Sequence, residues 1–131
     1  DIDSQIGRIF EKLCGEWLDS NYAVIERGQW WGKIDGTDVD IDIVAKVSDE
    51  HKVIHTILGE CKFRRKPMGF SAYNTLVSRS KSAKFTENII FMLFSASGFE
   101  EELCEFAEDS GVILVDGKTL MGDSEPPILF K

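Results

Sequence analysis

The stretch Asp38–Lys62, DVDIDIVAKVSDEHKVIHTILGECK, decides the fold. From Asp38 to Val47 apolar and polar residues alternate. Val39, Ile41, Ile43, Ala45 and Val47 share one face, and Asp38, Asp40, Asp42, Val44 and Lys46 share the other. A period of two belongs to a strand covered on one side by a core. The polar run Ser48–Lys52 predicts a turn, and Val53–Cys61 predicts a second strand. There Ile57, Gly59 and Cys61 face one way, while Thr56, Leu58, Glu60 and the following Lys62 face the other. Folding the two strands onto each other sets Asp42 beside Leu58 or Glu60. Neighbouring strands lie about 4.8 Å apart, so the Asp42 and Glu60 carboxylates can converge. Like charges at that range raise each other's pKa unless a cation neutralises them. A donor set of carboxylate oxygens suits a hard ion, Mg2+ or Mn2+. Lys62 brings an ammonium to the same space, where it can stabilise charge developing on a phosphate or orient an attacking water.

An edge strand also carries Asp and Lys simply to discourage strand-to-strand aggregation. That reading covers Asp38 and Lys46 and leaves Asp40 open between guard and ligand. It does not cover Glu60, which interrupts an apolar strand running into the core.

Upstream, Ile6, Ile9, Phe10, Leu13 and Trp17 recur at helical spacing, which predicts a helix over Ser4–Asp19 with that stripe inward and Asp3 or Ser4 as its cap. Glu11 and Glu16 fall at opposite margins of the stripe. Tyr22–Glu26 and Gln29–Lys33 predict two short strands, and Asp35-Gly36 is a hairpin turn signal. Trp30 and Trp31 alternate faces, so one belongs to the core and the other to packing or contact. Downstream, Pro67 and Gly69 precede a helix predicted for Ser71–Lys84. The unbroken apolar run NIIFMLFSA, Asn88–Ala96, reads as a strand buried on both faces. A helix over Phe99–Asp109, ended by Gly111, and a short strand Val112–Val115 follow, with SEPPILFK as an extended exit. The order predicts an α/β domain of three layers, α/β/α, around a central mixed sheet, with residues 1–131 forming one domain.

Charge is unevenly spread. The chain of 131 residues carries a formal net charge of −8. Yet between Lys62 and Thr86 there are seven bases (Lys62, Arg64, Arg65, Lys66, Arg79, Lys81 and Lys84) and no acid. The rest of the chain is therefore far more acidic than its total implies. A basic segment in an acidic protein is a local footprint for phosphate, although a solvated helix face would look the same. The acidic total argues against nonspecific nucleic-acid binding over the whole surface. Cys14, Cys61 and Cys104 are widely spaced and odd in number, as expected of reduced thiols in a cytoplasmic protein. No run is apolar enough to span a membrane, no glycine-rich phosphate loop is present, and His51 and His55 lie away from the face of Glu60.

An Asp one strand before a Glu-x-Lys tripeptide, here Asp42 in VDIDIVA and Glu60-Cys61-Lys62 in GECKFR, resembles the PD-(D/E)XK, or restriction-endonuclease-like, nucleases. A helical Glu in IFEKL stands upstream, as in that superfamily. GQWWGK, DIDIVAK, GECKFRRKPMG and FSASGFEEEL resemble, more closely, the nuclease-like domain of unknown function found C-terminal to archaeal-type P-loop ATPases. Gln29 departs from the Arg more usual before the paired tryptophans, and Asp40 stands where relatives often carry Glu. The resemblance implies a restriction-endonuclease-like fold, with Asp42, Glu60 and Glu11 as metal ligands and Lys62 as the catalytic lysine. It also implies a P-loop ATPase partner in the same chain or in trans; the lack of an initiating Met reads as a domain cut from such a protein.

The expected activity is hydrolysis of DNA phosphodiester bonds with Mg2+ or Mn2+. Arg64, Arg65, Lys66, Arg79, Lys81 and Lys84 are the expected contacts to the backbone, and a homodimer is compatible with the reading. The alternative is a catalytically silent regulatory module of an ATPase that binds DNA or protein.

Overall fold

Asp35 and Gly36 both adopt positive φ, 50° and 78°, and close a two-residue hairpin in which Ile34 pairs with Thr37. The computed structural model describes residues 1–131. This hairpin joins β1 (Val24–Ile34) to β2 (Thr37–Ser48). A second turn leads antiparallel into β3 (Ile54–Lys62). There the Asp49 carboxylate accepts the His51 and Val53 N–H groups at 2.8 and 2.9 Å. The two short strands expected before the hairpin are one continuous strand of 11 residues, whose pairing with β2 is irregular at Ile25 and again between Gly28 and Trp30.

α1 (Ile2–Asn21) precedes the sheet, and α2 (Phe70–Ser82), β4 (Ile89–Ser95), α3 (Glu101–Ser110), β5 (Ile113–Asp116) and the short α4 (Gly117–Leu120) follow it. The sheet order is β1-β2-β3-β4-β5, antiparallel for the first three strands and parallel from β3 onward. The parallel step requires a crossover, which α2 supplies. Gly111 ends α3 at φ 80°.

Two cores flank the sheet. On one side Phe10, Cys14, Trp17 and Leu18 of α1 pack on Ile43, Ala45, Val47, Ile57 and Phe94. On the other, Leu76 of α2 and Leu103 of α3 pack on Ile41, Leu58 and Leu93. The exit segment is not free, because Leu129 and Phe130 pack on the first core and Tyr22 donates its hydroxyl to the Pro127 carbonyl at 2.6 Å.

The structure departs from the sequence expectation at α1 and at Ile41. Ile6, Ile9 and Leu13 are exposed; α1 turns the Phe10–Cys14–Trp17–Leu18 face inward and is capped by Asp1. Ile41 does not share a face with Ile43, since the two belong to opposite cores. No helix is long and apolar enough to cross a membrane.

Candidate active site

The break in alternation at Ile41 is a β-bulge. Gly28 pairs with Val44 and Trp30 with Ile41, so β2 spends three steps where β1 spends two. The extra residue lies at Asp42–Ile43 and reverses which face each earlier residue takes. Asp40 therefore stands on the side of α1. On the other side of the bulge the β2–β3 ladder reaches Ile43–Gly59 and no further. The next free N–H, that of Cys61, is donated to the Asp42 carboxylate at 2.9 Å. Asp42 thus replaces a ladder bond and is held, 8% exposed, at the point where β2 and β3 part.

Three carboxylates meet there. One oxygen each from Glu11, Asp40 and Asp42 lies within 4.8 Å of the others. α1 carries Glu11 to the sheet one turn before Cys14 anchors in the core, and Gln29 of β1 donates its amide to Glu11 at 3.4 Å. Glu60 approaches from the other face, 4% exposed. The Lys62 ammonium lies 3.9 Å from Glu60, and the Arg79 guanidinium of α2 lies 3.8 Å from it. Arg79 also donates to the Asp40 carbonyl at 2.8 Å. The guanidinium therefore ties α2 to both acidic strands.

Crowding of acids sets their protonation. Burial, and then the hydrogen bond and charge of Asp42, push Glu60 up to about 9, against the opposing pull of Lys62 and Arg79. Glu11 rises to about 7 and Asp40 to about 6, in each case chiefly through burial and then through Asp42. Asp42 moves the other way. Burial pushes it up, but hydrogen bonds from Glu60, the Cys61 N–H, Asp40 and Glu11 outweigh burial and leave it below its ordinary value. Near neutral pH the cluster shares protons around one committed anion, Asp42. An oxygen-only group of this kind, already convergent and carrying displaceable protons, fits a hard divalent cation.

Of the residues singled out by sequence, the structure brings Glu11 and Asp42 into one group with Asp40, and sets Glu60 against Asp42 at its border with Lys62 beside it, outside that group. Arg64, Arg65 and Lys66 are exposed on the loop after β3. With Lys62 and Arg79 they line a groove of about 690 Å3 that Glu100 and Glu102 border as well. Lys81 and Lys84 are exposed at the far end of α2 and do not line this groove. Arg79, expected among the backbone contacts, is half-buried among the carboxylates. Its role as their counter-ion had no sequence signal, because it lies 19 residues beyond Glu60 on another element. Gln29 stood out only as a departure from the resemblance, and alternation left open which of Trp30 and Trp31 is the contact residue.

Comparison with known proteins places the fold. The family described as DUF234, archaeal and bacterial proteins of unknown function, matches residues 1–85. No curated protein matches the chain in sequence. Among solved structures, the protein of unknown function AF1548 is 19% identical, with a TM-score of 0.55 over 86% of this chain and 56% of that one. The MspJI restriction endonuclease, solved with a 27-mer oligonucleotide, is 16% identical with a TM-score of 0.55, covering 84% of this chain and 25% of its own. A repair endonuclease from Pyrococcus abyssi is 18% identical with a TM-score of 0.51, covering 94% and 46%. The chain spans between a quarter and just over half the length of these proteins. The fold is restriction-endonuclease-like.

Proposed function

This chain belongs to DUF234, archaeal and bacterial proteins of unknown function, and on that footing we propose that it is a divalent-metal-dependent nuclease hydrolysing DNA phosphodiester bonds. The observation that carries the reading is the convergence of Glu11, Asp40 and Asp42 within 4.8 Å, with Lys62 beside Glu60. Asp42, Glu60 and Glu11 are the proposed ligands of Mg2+ or Mn2+, with Asp40 completing the set. When bound, the ion supplies a water acidic enough to attack at neutral pH and a Lewis acid for a phosphate oxygen.

The chain's own residues do the rest. Asp42, fixed by the Cys61 N–H, is the anion that is ready before anything binds. Glu60, protonated in the protein alone, would have to release that proton to serve as a ligand. Lys62, 34% exposed and having no lone pair while charged, turns its ammonium to the phosphate. Water attacks phosphorus in line with the leaving oxygen: the new P–O bond forms as the bond to that oxygen breaks, the water's proton passes to solvent and the leaving oxygen takes one from solvent, while Lys62 stabilises the extra negative charge in the transition state. Arg64, Arg65 and Lys66 hold the adjoining backbone, and Lys81 and Lys84 extend that contact along α2. A P-loop ATPase, in the same chain or in trans, is the proposed partner. The support for it is the resemblance carried by GQWWGK, DIDIVAK, GECKFRRKPMG and FSASGFEEEL.

The test is cleavage of single-stranded and duplex DNA with Mg2+ or Mn2+. The parent should cut only with a divalent ion. Lys62→Ala should lose about 10²–10³-fold in turnover while keeping the rise in melting temperature that the metal induces. Cutting by that variant at the parental rate would misplace the active site. DNA binding without cutting under every metal would make the domain a regulatory module.

A further inference from the structure

We infer that Trp31 is a stacking platform for an unpaired base beside the scissile phosphate, so that the strand cut is single-stranded, or locally unpaired, at the cleavage position. This rests on the nuclease reading and names its substrate class.

Three observations carry it. First, the three tryptophans differ in kind. Trp17 is buried against Tyr22 and Phe94, and Trp30 packs on the core beneath α2. Trp31 is 70% exposed and pairs with no aromatic ring of the protein. Scattered exposed apolar residues are ordinary, so exposure alone assigns nothing.

Second, Trp31 has a particular neighbour. It is the cross-strand partner of Asp40, and directly opposed residues project to the same face of a sheet. That face holds the carboxylate cluster, and Gln29, two residues earlier on β1, donates to Glu11. The indole thus stands one strand away from the proposed reacting centre.

Third, the space around it is suited to a polyanion with flat groups. A cleft of about 530 Å3 is lined by Trp31, Arg8, Lys12, Glu11 and Asp42. The groove of Arg64, Arg65 and Lys66 reaches Glu60 and Lys62 and is walled by α2, whereas the Trp31 cleft is walled by α1. A strand laid from one cleft to the other passes its phosphate over the carboxylates and has cations before and after them. An aromatic ring with a free face then meets the base next to that phosphate. Aromatic faces bind bases by stacking, with little regard to sequence. In an intact duplex both faces of each base are covered by neighbours, so only an unpaired base offers one to Trp31.

The experiment uses the Lys62→Ala protein with Mg2+ as a background that binds without cutting. Three ligands are compared by affinity and by tryptophan fluorescence: a short single-stranded oligonucleotide, the same strand with one abasic position walked along it, and the corresponding duplex. The single strand should quench fluorescence, and adding Trp31→Phe should remove that quenching while keeping most of the affinity. Trp31→Ala should weaken single-strand binding by about 10–100-fold, leave duplex binding unchanged, and erase the penalty of the abasic position nearest the site. Its melting temperature should match the background, since the ring is on the surface. Single-strand affinity unchanged by Trp31→Ala overturns the stacking assignment, and cleavage by the parent then still upholds the nuclease reading. Absence of both nucleic-acid binding and cleavage in the parent overturns the two together.

Discussion

Glu60 is the carboxyl whose surroundings most disfavour its charge. Its pKa of about 9, against 4.5 for an ordinary Glu, means that the folded protein keeps a proton the unfolded chain has released. Between those values folding takes up a proton, so stability falls as pH rises. Glu11 and Asp40 act in the same sense up to about 7 and about 6. Asp42, with a lowered pKa, adds stability that is lost only in acid, below its ordinary 3.8. The metal-free protein should therefore lose melting temperature steadily from about pH 5 to about pH 9, and Glu60→Gln should flatten that slope. A parent profile that is already flat would contradict the burial of this charge. Metal should reverse the trend, because a cation replaces the protons. At about 100 times its dissociation constant, Mn2+ or Mg2+ adds roughly 2.7 kcal/mol, which is several degrees in melting temperature. Asp42→Ala should abolish that rise; an equal rise in the variant would move the metal elsewhere.

At the level of elements, the site depends on how β2 and β3 separate. Gly59 is the last residue of β3 paired to β2, and Glu60 follows it. A Cβ at Gly59 would stand 3.1 Å from Ile43 Cβ and 3.3 Å from the Phe94 ring. The Phe94 ring can tilt, but Ile43 Cβ is fixed by the strand paired to Gly59. Gly59→Ala should therefore push the strands apart and cost about 1–3 kcal/mol. The same displacement should weaken metal binding, because it moves Glu60 relative to Asp42. Denaturant melts with and without Mn2+ measure both effects, and unchanged stability would show that β2 yields more readily than its pairing implies. The α1 helix makes a related point. Its apolar residues form an arc wider than one face, and the sheet takes the Phe10–Trp17 side. Had the Ile6–Leu13 side gone inward, Glu11 would be turned away from Asp40 and Asp42.

For the molecule as a whole, charge is partitioned as finely as packing. The chain is acidic overall, and the exposed bases after β3 share their groove with the buried Glu60 and with the exposed Glu100 and Glu102. Replacing Arg64, Arg65 and Lys66 by Glu should weaken DNA binding and flatten its dependence on salt, since fewer counterions are released. The fold should survive, because these side chains are exposed. A salt slope equal to that of the parent would move the contact to another surface. Arg79 should behave differently. Arg79→Ala leaves Glu60 and Asp40 without their guanidinium and should lower stability as well as binding.

Local pattern was sufficient for the layers, the hairpin at Asp35-Gly36, the buried run of β4, the left-handed stop at Gly111 and the proximity of Asp42 to Glu60. Each of these depends on periodicity, backbone preference or strand pairing between neighbours in sequence. Only the tertiary structure decided the rest. The bulge at Asp42–Ile43 leaves no mark in an alternating sequence, because skipping a step depends on which partner strand is present. It set Ile41 in the opposite core from Ile43 and drew Asp40 into the cluster with Glu11. Which side of α1 faced the sheet was settled by the shape of the surface it covers, since both sides are apolar. Arg79 lies beside Glu60 and Asp40 because a crossover helix returned it there, and desolvation by three packed layers, not composition, decided which of the carboxyls keep their protons.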